Sequence, residues 1–325
     1  MKFLGVSHSE ADYVGLRTIV VPSGIGEFQW AWTKYLNSGE DFCILALDGA
    51  PRRLHQFCEL HPRVKAFGYS TIFDYTQIRM WQDFHKLDTW AAVTNRFALG
   101  SMTALACNPH LEAGKPLADW MPDLPTSYKY KLEVQNGQTI KAARYLRNTE
   151  PTDVLVGISC ASYRGADAWK TWHASEWLIF LGLIQKEVPN VRFVLLGGSW
   201  DDLTASIYDE DSELRWLVDP RGFPPVGRTD FGTAVGILEG LDAYVGFSSG
   251  LGHVAAHNCG TPVWMFWPEH ETALSTTWVD PELLESGAYV PSAWIRPEAA
   301  FIAAKPWLRR VLDGQYHLTE SRQAV

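Results

Sequence analysis

Leu241–Pro268 reads LDAYVGFSSGLGHVAAHNCGTPVWMFWP. Ala243–Phe247 is an apolar run of strand length, and it breaks at Ser248-Ser249-Gly250. Residues 251–258 predict a short helix, and Val263–Trp267 predicts the next strand. Strand, tight turn, helix, strand is the repeating unit of a parallel α/β sheet. A helix that starts at Gly250 presents backbone N–H groups and the positive end of its dipole. The small residues at 248–252 let an anion come close to that backbone, which fits a diphosphate without a metal. Equally, Gly250 and Gly252 could simply permit the turn.

The same alternation extends in both directions. Upstream, Val154–Cys160 reads as a buried strand, 174–187 as a helix, and Val191–Leu196 as a strand ending in Gly197-Gly198. A helix is expected over about 201–208, a short strand at Trp216–Val218 and a helix over 231–240. Glu298–Leu312 reads as a terminal helix. The first half repeats the pattern with Arg17–Ser23, a Gly24-Ile25-Gly26 turn and a helix stopped by Gly39. An apolar run at Phe42–Leu47, a helix from Pro51 to about Leu60 and a run at Val64–Tyr69 follow. Thr103–Cys107 is a further strand candidate. Residues 108–139 are rich in Pro and Gly and read mostly as loop, and a helix follows at about Thr139–Arg147. The polar joint Asn148–Thr152 suggests domains over 1–150 and 151–297. Residues 298–325 would form a helix packing back towards the first domain. The expectation is therefore two Rossmann-like, doubly wound α/β domains facing across a cleft, with ligands at the carboxyl ends of the strands.

The bulk properties agree. The chain has 325 residues, 46% of them hydrophobic and 13% aromatic, which excludes disorder as its main state. The 28 basic and 37 acidic residues give a net charge of −9, which disfavours non-specific binding to phosphate backbones. The five cysteines are scattered with no CxxC pair, as reduced thiols are. The first 15 residues lack the apolar core of a secretory signal, and no apolar run is long enough to span a bilayer. A cytoplasmic protein without stable membrane insertion is expected.

Three segments, taken in order, carry a resemblance. Lys170-Thr171-Trp172 lies in the loop after the strand at 154–160, and Gly197-Gly198 ends the next strand. Ser248-Ser249-Gly250-Leu251-Gly252-His253-Val254-Ala255-Ala256 opens the helix of the quoted stretch, and Gly260-Thr261-Pro262-Val263 follows it. Over about 154–270 this resembles glycosyltransferase family 9, the ADP-heptose:lipopolysaccharide heptosyltransferase group, whose fold is GT-B. There the motifs run Lys-x-Trp, Gly-Gly and Asp-Ser/Thr-Gly-x-x-His-x-x-Ala. The resemblance implies an inverting, metal-independent transfer of a sugar from a nucleoside-diphosphate sugar to a hydroxyl, with no further cofactor. It implies that Glu27, standing where the family has Asp, removes the acceptor proton. Lys170 would hold a phosphate oxygen and stabilise the departing diphosphate. Gly24, Gly26, Gly198, Ser199, Ser248, Ser249, Gly250, Leu251, Gly252 and His253 would contact the donor. Ser248 departs from the family's Asp, so the donor preference differs from that of the ADP-heptose enzymes.

Other readings of these residues stay open. Glu27 could merely favour a helix dipole, Lys170 could be a surface lysine, and His253 could be a core histidine. Trp172 reads as packing. Asp209-Glu210-Asp211 matches a metal–diphosphate motif but sits in a polar stretch, so no metal is expected. Gly24-Ile25-Gly26 lacks the third glycine of a dinucleotide fingerprint, because position 29 is Gln29. The acceptor is a glycan or, alternatively, a hydroxymethylated base in DNA. The latter would need a groove built from such residues as Arg52, Arg53, Arg63, Lys65, Arg79, Lys86, Lys129, Lys131, Lys141, Arg144 and Arg147. Trp30, Trp32, Trp81, Trp90 and Trp120 could stack on sugars, although most tryptophans of a chain like this belong to its core. A nucleotide-sugar-binding protein of the same fold without turnover is the alternative outside enzymes.

Overall fold

The computed structural model describes residues 1–5, 16–21, 25–46, 52–69, 104–106, 123–146, 150–160, 172–196, 229–267 and 279–316. The chain divides into two units, Met1–Glu133 and Val134–Val325.

In the first unit the β-branched and aromatic runs form five parallel strands. They are β1 (Lys2–Gly5), β2 (Arg17–Val21), β3 (Phe42–Ala46), β4 (Val64–Tyr69) and β5 (Ala104–Ala106), in the order β1-β4-β3-β2-β5. All five residues of β3 are buried, as a strand covered on both faces requires. Helix α1 (Ile25–Tyr35) follows β2, and α2 (Arg52–Cys58) precedes β4. A 3-10 turn extends α1, and Gly39 then stops it with φ +77°. Gln29, Thr33 and Lys34 of α1 are as buried as its Phe28 and Trp32. The segment after Asp123 accounts for part of this by lacing over the end of the helix. Ser127 N–H donates to the Thr33 carbonyl at 2.8 Å, and Lys34 Nζ donates to the Leu124 carbonyl at 3.1 Å. Asn37 Nδ2 donates to the Pro125 carbonyl at 2.9 Å. A stretch that reads as loop thus serves as a strap.

The second unit holds β6 (Val154–Ser159), β7 (Val191–Leu195), β8 (Ala243–Phe247), β9 (Val263–Trp267) and β10 (Tyr289–Ala293). All are parallel, in the order β10-β9-β8-β6-β7. Its helices are α3 (Asn136–Leu146), α4 (Ala174–Glu187), α5 (Phe231–Glu239), α6 (Gly250–Asn258), α7 (Pro281–Ser286) and α8 (Pro297–Leu312). The strands and helices expected around 154–160, 174–187, 191–196, 231–240 and 241–268 are present. Those expected at 201–208 and 216–218 lie outside the described residues, as do Asp209–Asp211.

One placement differs from the sequence reading. Helix α3 belongs to the second unit, so the division falls at Glu133/Val134 and not near 150. The reason is a stripe on and after α5: a Cβ on Gly232, Gly236 or Gly240 would lie 2.2, 2.8 or 2.4 Å from atoms of Gln138, Ala142 or Leu146. Residues four apart share a helix face, so this stripe lets α3 dock close. Gln138 Nε2 also donates to Asp230 Oδ1 at 2.9 Å. Helix α8 packs on β9 and α4 of the second unit. Trp307 meets Trp264 of β9 at 5.7 Å between ring centroids, and Lys305 and Arg309 pair with Glu187 of α4 at 2.7 and 2.9 Å.

Candidate functional site

In the second sheet β6 lies between β7 and β8, so successive connections leave it in opposite directions. Such a reversal of strand order opens a crevice at the carboxyl ends of the two central strands. Ser248-Ser249-Gly250 is the turn that leaves β8 there. Lys170 follows β6 in the sequence. Lys170 itself, Gly24, Gly198 and Ser199 lie outside the described residues. In the first sheet the equivalent reversal is at β2, between β3 and β5, and β2 leads to α1. Glu27 is the third residue of α1, and Gly26 beside it is buried.

Ser249 caps α6 with extended backbone, φ −151° and ψ 157°, and its Oγ accepts from Gly252 N–H at 3.4 Å. A serine in this role satisfies one of the four amides that a helix start leaves without intrahelical acceptors. The amides of Gly250 and Leu251 are two of the other three. Ser248, Ser249 and Gly250 are half-buried, whereas Leu251, Gly252 and His253 are buried. The turn is thus the part of this segment open to solvent.

Glycines bring α6 down onto the sheet. A Cβ on Gly252 would lie 2.1 Å from Met265 Cε and 3.0 Å from Tyr244 Cε1. One on Gly246 would lie 2.8 Å from the Ser159 carbonyl oxygen. In register, Gly157 stands opposite Tyr244, and Ser159 stands opposite Gly246. The Tyr244 ring lies over this glycine floor, fully buried, with its hydroxyl 3.0 Å from Ser249 Oγ and also bonded to the Ser159 side chain. Burial raises the Tyr244 pKa above the usual tyrosine value, so the hydroxyl keeps its proton. Tyr244 and Ser159 were not among the residues expected from the sequence. Their signal is the glycines two positions along each strand, on the same face, but it becomes legible only once the strand register is known.

His253 is 2% exposed. Its ring stacks on Tyr289 at 6.1 Å and on His257 at 6.0 Å. Burial lowers its pKa to about 4, so the ring is neutral near pH 7. Its side chain is seated in the core beside β10, and its amide donates to the Ser249 carbonyl at 3.4 Å.

Trp172 is a packing residue. It meets Phe266 at 4.7 Å and Phe247 at 5.8 Å, and its indole N–H donates to the Ile295 carbonyl at 3.2 Å. Phe247 ends β8, so Trp172, two residues after Lys170 in the sequence, is seated at the carboxyl edge of the sheet. Trp30 and Trp32 are buried at 5% and 1%, which removes them as sugar-stacking faces. Trp81, Trp90 and Trp120 lie outside the described residues.

Of the basic residues considered for a nucleic-acid groove, Arg79, Lys86 and Arg147 lie outside the described residues, and the others belong to both units. Lys141 and Arg144 are on α3, in the second unit, and Lys141 pairs with Asp230 at 3.4 Å. Lys65 pairs with Asp41 at 3.8 Å in the first unit. Among the described residues no group of three or more His, Cys, Asp or Glu could hold a metal ion. No helix among them is long and apolar enough to cross a membrane.

No family model matches this chain, and no curated protein does. Among solved structures it is similar to the glycosyl transferase family 9 protein from Veillonella parvula DSM 2008. That match has 14% identity and a TM-score of 0.61, over 93% of this chain and 100% of the other. A second similar structure is the dodecameric iron-containing heptosyltransferase TibC, determined in complex with ADP-D-beta-D-heptose. It has 10% identity and a TM-score of 0.47, over 92% of this chain and 78% of the other. The expected α/β architecture of parallel sheets flanked by helices is therefore met, and the chain has the fold of a GT-B glycosyl transferase of family 9.

Proposed function

We propose that this protein is a glycosyltransferase that moves a sugar from a nucleoside-diphosphate sugar to a hydroxyl group of a glycan, with inversion and without a metal. The observation that carries the reading is the Ser249-capped start of α6 at the strand-order reversal of a glycosyl-transferase fold. Two backbone amides without intrahelical acceptors, a serine hydroxyl and the positive end of a helix dipole suit a diphosphate.

In this reading the Gly250 and Leu251 amides and the Lys170 ammonium stabilise the negative charge that grows on the leaving diphosphate. Glu27 takes the proton of the acceptor hydroxyl. The acceptor oxygen bonds to the anomeric carbon as the bond from that carbon to the phosphate oxygen breaks. The products are the glycosylated acceptor, the nucleoside diphosphate and the proton on Glu27. Ser248 in place of the family's Asp argues for a donor sugar other than ADP-heptose. Lys65 and Lys141 are already paired with Asp41 and Asp230, and the net charge of −9 disfavours a phosphate backbone, which favours a glycan over a DNA base as acceptor.

A thermal-shift screen of ADP-, UDP-, GDP- and CDP-sugars tests the donor. A specific donor at 100 times its dissociation constant stabilises the fold by about 2.7 kcal/mol. The reading fails if no nucleotide sugar shifts the transition. Donor hydrolysis then tests turnover: Glu27→Gln is expected to be slower than wild type by about 100-fold or more. Equal rates would favour a binding protein without turnover.

A further inference from the structure

We propose that Tyr244 is the positioning residue of this site: its buried hydroxyl accepts a hydrogen bond from Ser159 and donates one to Ser249, locking Ser249 as a donor towards a ligand oxygen. The inference rests on the reading of the Ser249 turn as the diphosphate site.

A serine hydroxyl has one proton to donate and two lone pairs that accept. Ser249 Oγ already accepts from Gly252 N–H at 3.4 Å, and it lies 3.0 Å from the Tyr244 oxygen. If Tyr244 donates there, both lone pairs are used, and the Ser249 proton is the only hydrogen-bonding capacity left. Ser249 is half-buried, so a ligand at the turn can meet that proton. Tyr244 can donate to Ser249 because its second partner, Ser159, is a hydroxyl that can donate to it in turn. Ser159 is 2% exposed and Tyr244 fully buried, so water does not compete along the chain Ser159, Tyr244, Ser249.

Packing alone does not require this hydroxyl. The ring is seated by glycines: a Cβ on Gly246 would lie 3.2 Å from the Tyr244 oxygen, and one on Gly252 3.0 Å from ring atom Cε1. A phenylalanine would fill the same floor. The tyrosine oxygen adds control over where the Ser249 proton goes. A turn set up in this way selects ligand atoms that only accept, as the oxygens of an ionised diphosphate do.

The test is a double-mutant cycle read by calorimetric titration with ADP, UDP, GDP, CDP and inorganic pyrophosphate. Tyr244→Phe is expected to weaken binding by roughly five- to tenfold, the size of one lost hydrogen bond. Tyr244→Phe/Ser249→Ala is expected to bind no more weakly than Ser249→Ala alone, because the tyrosine acts through the serine. Fully additive losses overturn the proposal, since they would place the effect of Tyr244 elsewhere. So does unchanged affinity in Tyr244→Phe when Ser249→Ala binds more weakly; that result leaves the diphosphate reading intact. If wild type binds none of the five probes, the diphosphate reading falls and this proposal falls with it. Should Tyr244→Phe fail to fold, Ser159→Ala takes its place. It is expected to weaken binding in the same direction, with no further loss in the Ser249→Ala background, and an unchanged affinity overturns the proposal.

Discussion

Gly246 shows how little room a single residue has here. A methyl group at this position would press on the carbonyl oxygen of Ser159, a backbone atom of the neighbouring strand, at 2.8 Å. Gly246→Ala is therefore expected to cost about 1–3 kcal/mol, as overpacked cores do, measured by urea denaturation. The two neutral core histidines make a second prediction. His61 lies edge-on to Phe28, Trp32 and Phe57, its Nδ1 is 2.8 Å from the Phe57 carbonyl, and burial lowers its pKa to about 3. His253 is lowered to about 4 by burial as well. Both folded values lie below that of an unfolded histidine, near 6.5, so the unfolded chain binds more protons in between. Stability is then fully present above about pH 6.5 and falls as pH drops from there towards 4, by on the order of a few kcal/mol. A series of denaturation midpoints checks this. The slope is expected to be shallower in His61→Leu, whatever that variant's absolute stability.

Among the elements, helix α5 shows what a stretch of sequence hides. Its length and position are legible, because the apolar run at 231–239 begins after Asp230, a capping residue, and ends at Gly240. Its partner is not. Helix α3 precedes it by a long stretch of chain, and only the folded structure shows that Gly232, Gly236 and Gly240 receive Gln138, Ala142 and Leu146. Asp230 joins both roles. It accepts from Thr233 N–H and from Gln138 Nε2, each at 2.9 Å. Asp230→Ala is expected to cost about 1–2 kcal/mol in chemical denaturation, chiefly from the lost cap. The elements that escape sequence reading are short or interrupted by proline. β1 is a four-residue strand, and β10 reads YVPSA, with Pro291 inside it. An edge strand tolerates that proline because one side of it needs no ladder hydrogen bonds. α7 is too short, at six residues, for its periodicity to speak, although Asp280 and Pro281 mark its start.

At the scale of the whole chain, strand order is what turns motifs into a site. The Ser-Ser-Gly turn, the Gly-Gly strand end and the Lys-x-Trp segment are legible one by one in the sequence. The order β10-β9-β8-β6-β7 brings the strands that carry them side by side, with β6 in the middle. Tyr244 and Ser159 stayed hidden because a parallel register joins residues that nothing local connects. The division of the chain makes its own prediction. A fragment starting at Val134 retains α3, and it is expected to unfold cooperatively. One starting at Pro151 loses the partner of the Gly232–Gly240 stripe and is expected to be less stable or to aggregate. Calorimetry on the two fragments checks this; equal stability would mean that α3 contributes nothing to the unit.

Whether the start of α6 receives a diphosphate is read straight from amide NMR on the isotopically labelled protein. On titration with nucleoside diphosphates, the largest shifts are expected at the Gly250 and Leu251 N–H signals, with Ser249 close behind. Saturable binding that leaves those amides unmoved, while shifting signals elsewhere, would place the diphosphate away from α6.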